Sequence, residues 1–571
     1  MTSTATTRTT SSTARRASSA GRPGRVSFVG TGPGDPGLLT MRAAELIRTA
    51  QIVVTESPAH QRLVDSVRAG ASGTGGLPEV PVVVDGGYTD AGAPLTPAAR
   101  GRIVVKQARG GARVVRLLAG DVLSHGTGSE EAQACRKAGL AVEVVPGVPT
   151  ALAVPAYAGV PLTTRNRERF AVARVDDARR IDWTAYAGDT TLVLLVPAGG
   201  DLTPTVSAAA AALVAAGRSG DTAVSVTRGG TTTAQLTTVT TLDAVGTDLA
   251  AGVDADPTDP ELADADVVVV VGANVDLREQ LSWYETKPLF GWRVLVPRTK
   301  EQAGPLSEQL HGHGAVAEEV PTISVEPPRN PQQMDKAVRG LVEGRYEWVA
   351  FTSVNAVRAV REKFDEYGLD ARAFSGLKVA AVGEATADAI RTWGIRPDLV
   401  PSGEQSGRGL LEDWPPFDEV LDPINRVFLP RADIATETLM AGLQELGWEV
   451  DDVTAYRTVR AAPPPAPVRE AIKAGRFDAV VFTSSSTVRN LVGIAGKPHP
   501  STVIACIGPA TAKTAEEHGL RVDVLADSPS VEALAEALAD FGDRRRVAAI
   551  EAGEPVIRPS ERRAPARRRA T

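Results

Sequence analysis

Residues 293–298 read R-V-L-V-P-R, and the same pattern returns as R-V-F-L-P-R at residues 426–431. Two further strings recur in the same order: F-T-S at 351–353 and 482–484, and V-G-E-A-T and I-G-P-A-T at 382–386 and 507–511. A repeat this long is not a solenoid, whose period is roughly 20–50 residues. The repeat therefore predicts two similar α/β lobes in the second half of the chain, with a cleft between them.

The bulk properties of the chain are those of a multidomain globular protein. A length of 571 residues predicts about three to four domains. The net charge of −7 gives no reason to expect nucleic acid as a partner, and no apolar run approaches the roughly 20 residues of a membrane span. The only cysteines are Cys135 and Cys506, which indicates a reducing cytoplasm and predicts neither a disulfide nor a metal site.

The two ends of the chain differ in composition from the rest. Residues 1–25 are rich in Ser, Thr and Arg without an apolar core, so we expect a disordered leader, although an organellar transit peptide has a similar composition. Residues 542–571 are basic and contain Pro, and they are expected to form a disordered tail.

Between these ends, strands and helices alternate from residue 26 to residue 276, which indicates a mostly parallel sheet. Residues 70–97 are rich in Gly, Pro and Asp and are expected to be loop. Residues 277–291 are interpreted as a linker, and a second module is expected at 292–541.

The first module carries several specific strings in a fixed order. It begins with G-T-G-P-G-D-P-G-L-L-T at 30–40 and continues with R-L-L-A-G-D-V-L-S-H-G-T-G-S-E-E at 116–131. P-G-V-P-T-A at 146–151, A-G-V-P-L-T-T-R at 158–165, and Gly230-Thr231 with Gln235 follow. Together they resemble the uroporphyrinogen-III C-methyltransferases of the tetrapyrrole methylase family.

This resemblance implies a two-domain enzyme, usually a homodimer, that transfers methyl groups from S-adenosyl-L-methionine to uroporphyrinogen III and gives precorrin-2. Asp35 falls where the family has a carboxylate proposed as a base; turn stabilisation is the alternative role for an Asp in such a loop. Six residues fall on positions of cofactor contact: Pro33, Gly120, Asp121, Thr150, Ala151 and Val196.

Some positions depart from the family pattern. Thr55-Glu56-Ser57 stands where the family has Tyr-Asp-Arg, and Val196-Pro197 stands where it has Met-Gly. These departures leave open an alternative in which the first module is a degenerate scaffold beside a working second module.

The second module, 292–541, resembles uroporphyrinogen-III synthase through the ordered set of repeated strings and the A-Y-R-T string that contains Tyr456. The resemblance implies two α/β lobes joined by two extended crossings, with lobe one at 292–325 plus 462–541 and lobe two at 326–461. It also implies that the enzyme closes hydroxymethylbilane, a linear tetrapyrrole with eight carboxylates, to uroporphyrinogen III with inversion of the last ring and without a cofactor or metal.

Candidate residues of this module follow from its chemistry. A phenol at Tyr456 could donate a proton to the departing hydroxyl, or it could only pack in the cleft wall. Hydroxyls and backbone N–H groups at helix starts bind carboxylates, although Ser and Thr there can be plain N-caps. The candidate substrate-binding residues are Arg298, Thr352, Ser353, Asn355, Gly383, Arg431, Thr483, Ser484, Ser485 and Gly508.

The sequence thus predicts an α/β protein with a two-domain tetrapyrrole methylase module followed by a two-lobed synthase module. We expect small-molecule tetrapyrroles as substrates, a homodimer through the first module, and a cytoplasmic location. A third hypothesis, a two-lobed protein that binds or senses an anionic small molecule without turnover, also remains open.

Overall fold

A computed structural model describes residues 24–69, 80–89, 93–109, 111–124, 128–197, 202–251, 266–298 and 300–561. The predicted leader therefore lies almost wholly outside the described residues, as does 562–571. The chain divides into two compact units, Met1–Gly291 and Trp292–Thr571.

The described part of the chain contains helices and strands in regular alternation. The strands are β1 Arg25–Gly30, β2 Ile52–Thr55, β3 Val82–Asp85, β4 Arg113–Leu118, β5 Ala141–Val145, β6 Phe170–Arg174, β7 Thr191–Val196, β8 Ala223–Arg228, β9 Leu236–Thr241, β10 Val267–Val271, β11 Arg293–Val296, β12 Val316–Glu319, β13 Ile323–Glu326, β14 Trp348–Phe351, β15 Lys378–Ala381, β16 Arg426–Ala432, β17 Glu449–Arg460, β18 Ala479–Phe482, β19 Val503–Cys506 and β20 Val524–Leu525.

The helices that pack on these strands are α1 Met41–Thr49, α2 Pro58–Ala69, α3 Pro97–Ala108, α4 Gly128–Lys137, α5 Thr150–Tyr157, α6 Leu202–Ala215, α7 Val245–Ala251, α8 Arg278–Leu281, α9 Lys300–Gly312, α10 Pro331–Val342, α11 Val354–Tyr367, α12 Glu384–Thr392, α13 Gly407–Asp413, α14 Thr438–Glu445, α15 Ala466–Lys473, α16 Ser485–Ala495, α17 Pro509–Glu517 and α18 Val531–Glu551.

The first unit is built on two five-stranded sheets. The first sheet has the order β3-β2-β4-β1-β5 and is entirely parallel. The second has the order β6-β7-β10-β8-β9 and is mixed, because β10 is antiparallel to β7 and β8. β10 consists of five buried valines, as expected for a central strand covered on both faces.

The second unit also contains two five-stranded sheets, one in each predicted lobe. Lobe one has the order β12-β11-β18-β19-β20, and lobe two has the order β13-β17-β16-β14-β15. β11 and β18 are neighbours although lobe two lies between them in sequence. The chain enters lobe two earlier than predicted: β13 already pairs with β17, so the first boundary lies near Thr322 and not at residue 325.

Three further expectations need correction. Residues 70–97 are predicted to be loop, but β3 lies within them. Its V-V-V run favours a strand, and its backbone hydrogen bonds are made with β2 at the edge of the sheet. The predicted linker 277–291 is not a free connector, since α8 and the residues after it pack on the first unit.

The predicted tail at 542–571 is also structured over much of its length. α18 continues to Glu551, and Ser560 N–H donates to Asp478 Oδ1 at 2.8 Å. The other carboxylate oxygen of Asp478 accepts from Arg293 N–H at 2.8 Å, and the Asp478 side chain is fully buried. The Asp478 carboxylate therefore links the end of the described chain to β11 through two hydrogen bonds.

Within the ranges given above, no helix has the length and apolar character needed to cross a membrane. The same ranges contain no cluster of His, Cys, Asp and Glu side chains that could hold a metal ion.

Candidate functional site

The Gly-rich turn after β1 lies against the loop that follows β4. Gly32 and Gly120 exchange two backbone hydrogen bonds, at 3.1 and 2.8 Å. Both residues have positive φ, +74° and +64°, which glycine adopts without strain. A Cβ on Gly120 would lie 2.9 Å from Thr150 Oγ1, so this glycine brings the two loops and the start of α5 together.

Asp35 lies in this turn as the N-cap of a short 3-10 turn. Its Oδ1 accepts from Gly37 N–H at 2.7 Å, and its Oδ2 accepts from the Tyr157 hydroxyl at 2.7 Å. The Asp35 backbone N–H donates to Thr231 Oγ1 at 3.1 Å. The side chain is only partly buried, so Asp35 both stabilises its turn and presents a carboxylate at the surface of the first unit.

Asp121 organises its own loop. Its Oδ1 accepts from the backbone N–H groups of Leu123 and Ser124, and its Oδ2 accepts from Gly147 N–H at 3.2 Å. Burial alone would raise the pKa of Asp121, but these hydrogen bonds together lower it. The carboxylate thus ties the loop after β4 to the loop after β5.

The other predicted cofactor contacts differ in accessibility. Pro33 and Thr150 are partly exposed beside the Gly32–Gly120 contact. Ala151 and Val196 are buried, with 1% and 3% of their surfaces exposed, and they pack in hydrophobic cores. The structure therefore brings Pro33, Gly120, Asp121 and Thr150 together, whereas Ala151 and Val196 lie behind that surface.

A buried ionic network adjoins this site, and the sequence analysis did not identify it. Arg116 is fully buried and pairs with Glu131 at 2.8 Å and with Glu56 at 3.0 Å. Arg100 reaches Glu56 at 3.2 Å. Burial raises the pKa of Glu56, but Arg116, His60 and Arg100 outweigh it and hold that pKa below its usual range.

Signals for this network were present in the sequence. Arg116 and Glu131 open and close the second family-like string, and Glu56 occupies the position of the family Asp. Neighbouring His60 is buried, and its Nε2 lies 3.3 Å from Thr31 Oγ1. Desolvation lowers the pKa of His60 to about 4, so the ring is neutral near pH 7.

The repeated strings of the second unit lie at equivalent strand-to-helix junctions in the two lobes. Thr352 and Ser353 follow β14, Asn355 lies in the first turn of α11, and Thr483 and Ser484 follow β18. Ser353 Oγ accepts from Ala356 N–H at 3.1 Å, and Ser484 Oγ accepts from Thr487 N–H at 3.3 Å. Both serines are therefore N-caps, which was one of the two roles considered for them.

Tyr456 lies on β17 with 7% of its surface exposed, and its Oη is 3.0 Å from Ser353 Oγ. The phenol is thus held at the N-terminus of the 14-residue helix α11, where the helix dipole favours negative charge on a neighbouring group.

A pocket of about 340 Å³ lies beside this junction in lobe two, and Thr352, Ser406, Arg408 and Arg431 line it. Arg431 is largely committed to the fold, because its Nε donates to Asp452 Oδ1 at 2.5 Å and its Nη1 donates to the Thr436 carbonyl at 2.6 Å. This ion pair with Asp452 is part of the fold of lobe two.

Arg298 follows β11 in lobe one, and burial lowers the pKa of its guanidinium. Arg298 and Arg431 are the last residues of the two repeated strings, but Arg298 lies after its strand whereas Arg431 lies within β16.

Gly383 and Gly508 are the N-caps of α12 and α17, with extended φ values of −166° and −176°. Gln405 Oε1 accepts from Glu384 N–H at 3.2 Å and covers the start of α12. No atom lies within 4 Å of the position that a Cβ on Gly508 would take. Gln405 is a site residue that the sequence analysis missed, since no repeated string contains it.

Ser485 connects the two helices at the junction of lobe one. Its Oγ donates to the Ala510 carbonyl at 3.0 Å and accepts from Thr514 Oγ1 at 2.9 Å. In lobe one, the hydroxyl groups of the repeated strings therefore bond largely to one another and to the backbone.

Two family models match the chain. The model described as Tetrapyrrole (Corrin/Porphyrin) Methylases covers residues 25–246, and the model described as Uroporphyrinogen-III synthase HemD covers residues 304–536. Each match falls within one of the two units.

Two relatives match different shares of the chain. The Porphyrin biosynthesis protein HemD of Ruminiclostridium josui is 29% identical over 538 residues, which cover 91% of this chain and 98% of that protein. Siroheme synthase 2 of Aeromonas hydrophila is 34% identical over 266 residues, 46% of this chain, and the match spans about half (51%) of that relative's length.

Among solved structures, the uroporphyrin-III C-methyl transferase of Thermus thermophilus complexed with S-adenyl homocysteine is 28% identical, with a TM-score of 0.33. The match covers 44% of this chain and 93% of that one.

The order of the two family matches and the near full-length similarity to one relative agree with the two-unit fold. The first unit is similar to the tetrapyrrole methylases and the second to the uroporphyrinogen-III synthases, and the chain is an enzyme of tetrapyrrole biosynthesis that joins both parts in one polypeptide.

Proposed function

We propose that the second unit closes hydroxymethylbilane to uroporphyrinogen III and that the first unit methylates this product to precorrin-2. The observation that carries the first step is the position of Tyr456, a buried phenol 3.0 Å from Ser353 at the start of α11. The second step is supported by the first unit's family match and by its Gly32–Gly120 loop pair.

In the synthase reaction, Tyr456 protonates the hydroxyl that leaves hydroxymethylbilane as water. As the phenol loses its proton, a hydrogen bond from Ser353 and the N-terminus of α11 stabilise the phenolate. Backbone N–H groups and hydroxyls at the junctions, from Thr352, Thr483 and Gly508, hold the carboxylates and place the last pyrrole for ring closure.

In the methylation reaction, S-adenosyl-L-methionine supplies the methyl group. Pro33, Gly120 and Thr150 would hold it, because their loops meet where positive-φ glycines leave no side chain. Asp121 keeps those loops in place, and Ala151 and Val196 support them from the core.

Asp35 takes the proton that the methylated ring carbon must lose. Its Oδ2 already accepts a hydrogen bond from Tyr157, which orients the carboxylate. The substrates are small tetrapyrroles, and we assign the enzyme to the cytoplasm as a homodimer through the first unit. The two buried free cysteines suit a reducing compartment.

The test is to supply the purified chain with hydroxymethylbilane, with and without S-adenosyl-L-methionine, and to identify the products. We expect uroporphyrinogen III without the methyl donor and precorrin-2 with it. Formation of only isomer I, the product of uncatalysed closure, would contradict the synthase function and favour a binding protein. Isomer III without any methylated product would show that the first unit is an inactive scaffold.

A further inference from the structure

The segment expected to be a linker carries a cation that contacts the same aromatic cluster as the candidate base of the first unit. Lys287 lies with its Nζ 5.3 Å from the ring centroid of Trp283 and 5.1 Å from that of Tyr284. Burial lowers the pKa of this ammonium, and the charge of Asp35 partly opposes that shift. Lys287 and Asp35 are therefore close enough to act on each other electrostatically.

Aromatic rings hold these two charged groups together. Tyr157, whose hydroxyl donates to Asp35, stacks edge-on against Trp283 at 5.1 Å and against Tyr284 at 4.7 Å. Trp283 Nε1 donates to the Ala156 carbonyl at 3.0 Å. Tyr157 thus holds the carboxylate of Asp35, and the two rings packed on Tyr157 contact the ammonium of Lys287.

The linker segment is fixed to the second sheet of this unit by several polar contacts. Glu285 accepts from Gln235 at 2.8 Å, from Thr237 at 2.6 Å and from Arg278 at 2.6 Å. The Tyr284 hydroxyl donates to the Thr231 carbonyl at 3.2 Å. These contacts of Tyr284 and Glu285 fix the backbone near Lys287, so the fold determines where the Lys287 side chain lies.

In the described part of the chain no carboxylate lies within salt-bridge distance of Lys287, and its ammonium lies over the faces of two rings. Trp283 is 48% exposed, so the cluster is open to an incoming molecule. A cation on aromatic faces at such an exposed site gains little, whereas a carboxylate would add a charge-assisted hydrogen bond.

We propose that Lys287 binds a carboxylate of the tetrapyrrole that the first unit methylates, which makes the segment 278–289 part of the substrate site. This inference rests on the proposed methyltransferase function. Uroporphyrinogen III carries eight carboxylates around its ring, so an ammonium beside the base places the ring edge toward Asp35.

The test is the kinetics of methylation of uroporphyrinogen III by the full chain and by its Lys287→Met variant, which keeps an apolar stem on the rings. We expect KM for uroporphyrinogen III to rise about tenfold, kcat to stay within about twofold, and KM to depend less on salt concentration. Binding of S-adenosyl homocysteine and the synthase rate of the same preparation should not change. Lys287→Arg should recover most of the affinity.

The matched control is Lys106→Met, at an exposed lysine near the end of α3, which should leave KM unchanged. An unchanged KM in Lys287→Met, or a loss in kcat alone, would overturn the inference while methylation by the unaltered chain still supports the proposed function. An unaltered chain that forms isomer III but methylates nothing would overturn both proposals for the first unit.

Discussion

The two lobes of the synthase unit repeat one architecture down to single hydrogen bonds, yet their junctions differ in chemistry. Asp398 accepts from Val379 N–H in lobe two as Asp523 accepts from Ile504 N–H in lobe one, at 2.8 and 3.0 Å. Only in lobe two does a phenol, Tyr456, contact the N-cap serine.

In lobe one, the hydroxyl groups at the junction bond to one another and not to a phenol. Its junction is stabilised by its own hydroxyls, with Ser485 bonded to Thr514 and Ser484 in a capping box with Thr487. The start of α17 at Gly508 is open, whereas Gln405 covers the equivalent start of α12. If the proposed function is right, lobe two supplies the proton through Tyr456, and the open helix start at Gly508 makes lobe one available to a carboxylate.

The largest expected effect is that of Tyr456→Phe, which removes the only phenol at either junction in the described chain. We expect the rate of isomer III formation to fall about 100-fold or more, because general acids contribute roughly 10²–10⁴-fold. The measurement is the isomer composition and rate of product from hydroxymethylbilane. Tyr367→Phe, at a 38% exposed tyrosine at the end of α11, is the control; equal rates in all three proteins would remove Tyr456 from the mechanism.

Ser353→Ala and Ser484→Ala test the difference between the two N-caps. Each variant should lose about 1 kcal/mol of stability, because each removes the acceptor of one helix N–H group. Only Ser353→Ala also removes the hydrogen-bond partner of Tyr456. Its kcat should therefore be roughly tenfold lower, and the pH dependence of its kcat should differ from that of the unaltered chain. If both variants lose rate equally, the proposed asymmetry between the lobes is wrong.

Gly508→Ala and Gly383→Ala sharpen the contrast between the open and the covered helix start. Alanine is allowed at both φ values and is a poorer N-cap than glycine at both, but Gly383→Ala should lose more stability, because its Cβ would lie 3.0 Å from Gln405 Oε1. Only the methyl group at 508 would enter open space on the substrate side, and KM should rise about fivefold, or roughly 1 kcal/mol. Equal KM values for the two variants would mean that no carboxylate binds at Gly508.

Ser485→Ala should give the smallest change, a loss of about 1 kcal/mol from two hydrogen bonds that link α16 to α17. Hydrogen exchange resolves such local effects, and amides of α16 and α17 should exchange faster while those of α11 and α12 do not. Val354→Ala, at the equivalent and exposed position of lobe two, is the matched control. A uniform increase across both lobes would show that the lobes unfold as one body.

The sequence predicted those features that depend on local signals. The repeated strings gave the two lobes, and Ser353 and Ser484 could be placed as helix starts, because a strand followed by Ser at an N-cap is a short-range pattern. The families and the fold class are confirmed by the matches and the topology.

Features that depend on distant partners could not be predicted in this way. The sequence does not show that Arg431 pairs with Asp452, because only the fold brings these two residues together. Lys287 was assigned to a linker. The sequence alone does not show that the fold brings Asp35 and the aromatic residues near Lys287 together. The predicted tail begins at residue 542, within α18, because an arginine run follows there. Arg is a good helix former, however, and the helix continues to Glu551.

The insertion of lobe two between β11 and β18 has a consequence for synthesis on the ribosome. Lobe two is complete once Arg460 has emerged, but the central strand pair of lobe one needs β18, which follows it. β11 can pair with β12 at once, but its other edge, including Leu295, stays without β18 while the ribosome adds more than a hundred residues. Since domains generally fold as units in the order of synthesis, chaperones that shield nascent chains should bind this protein most strongly in that interval.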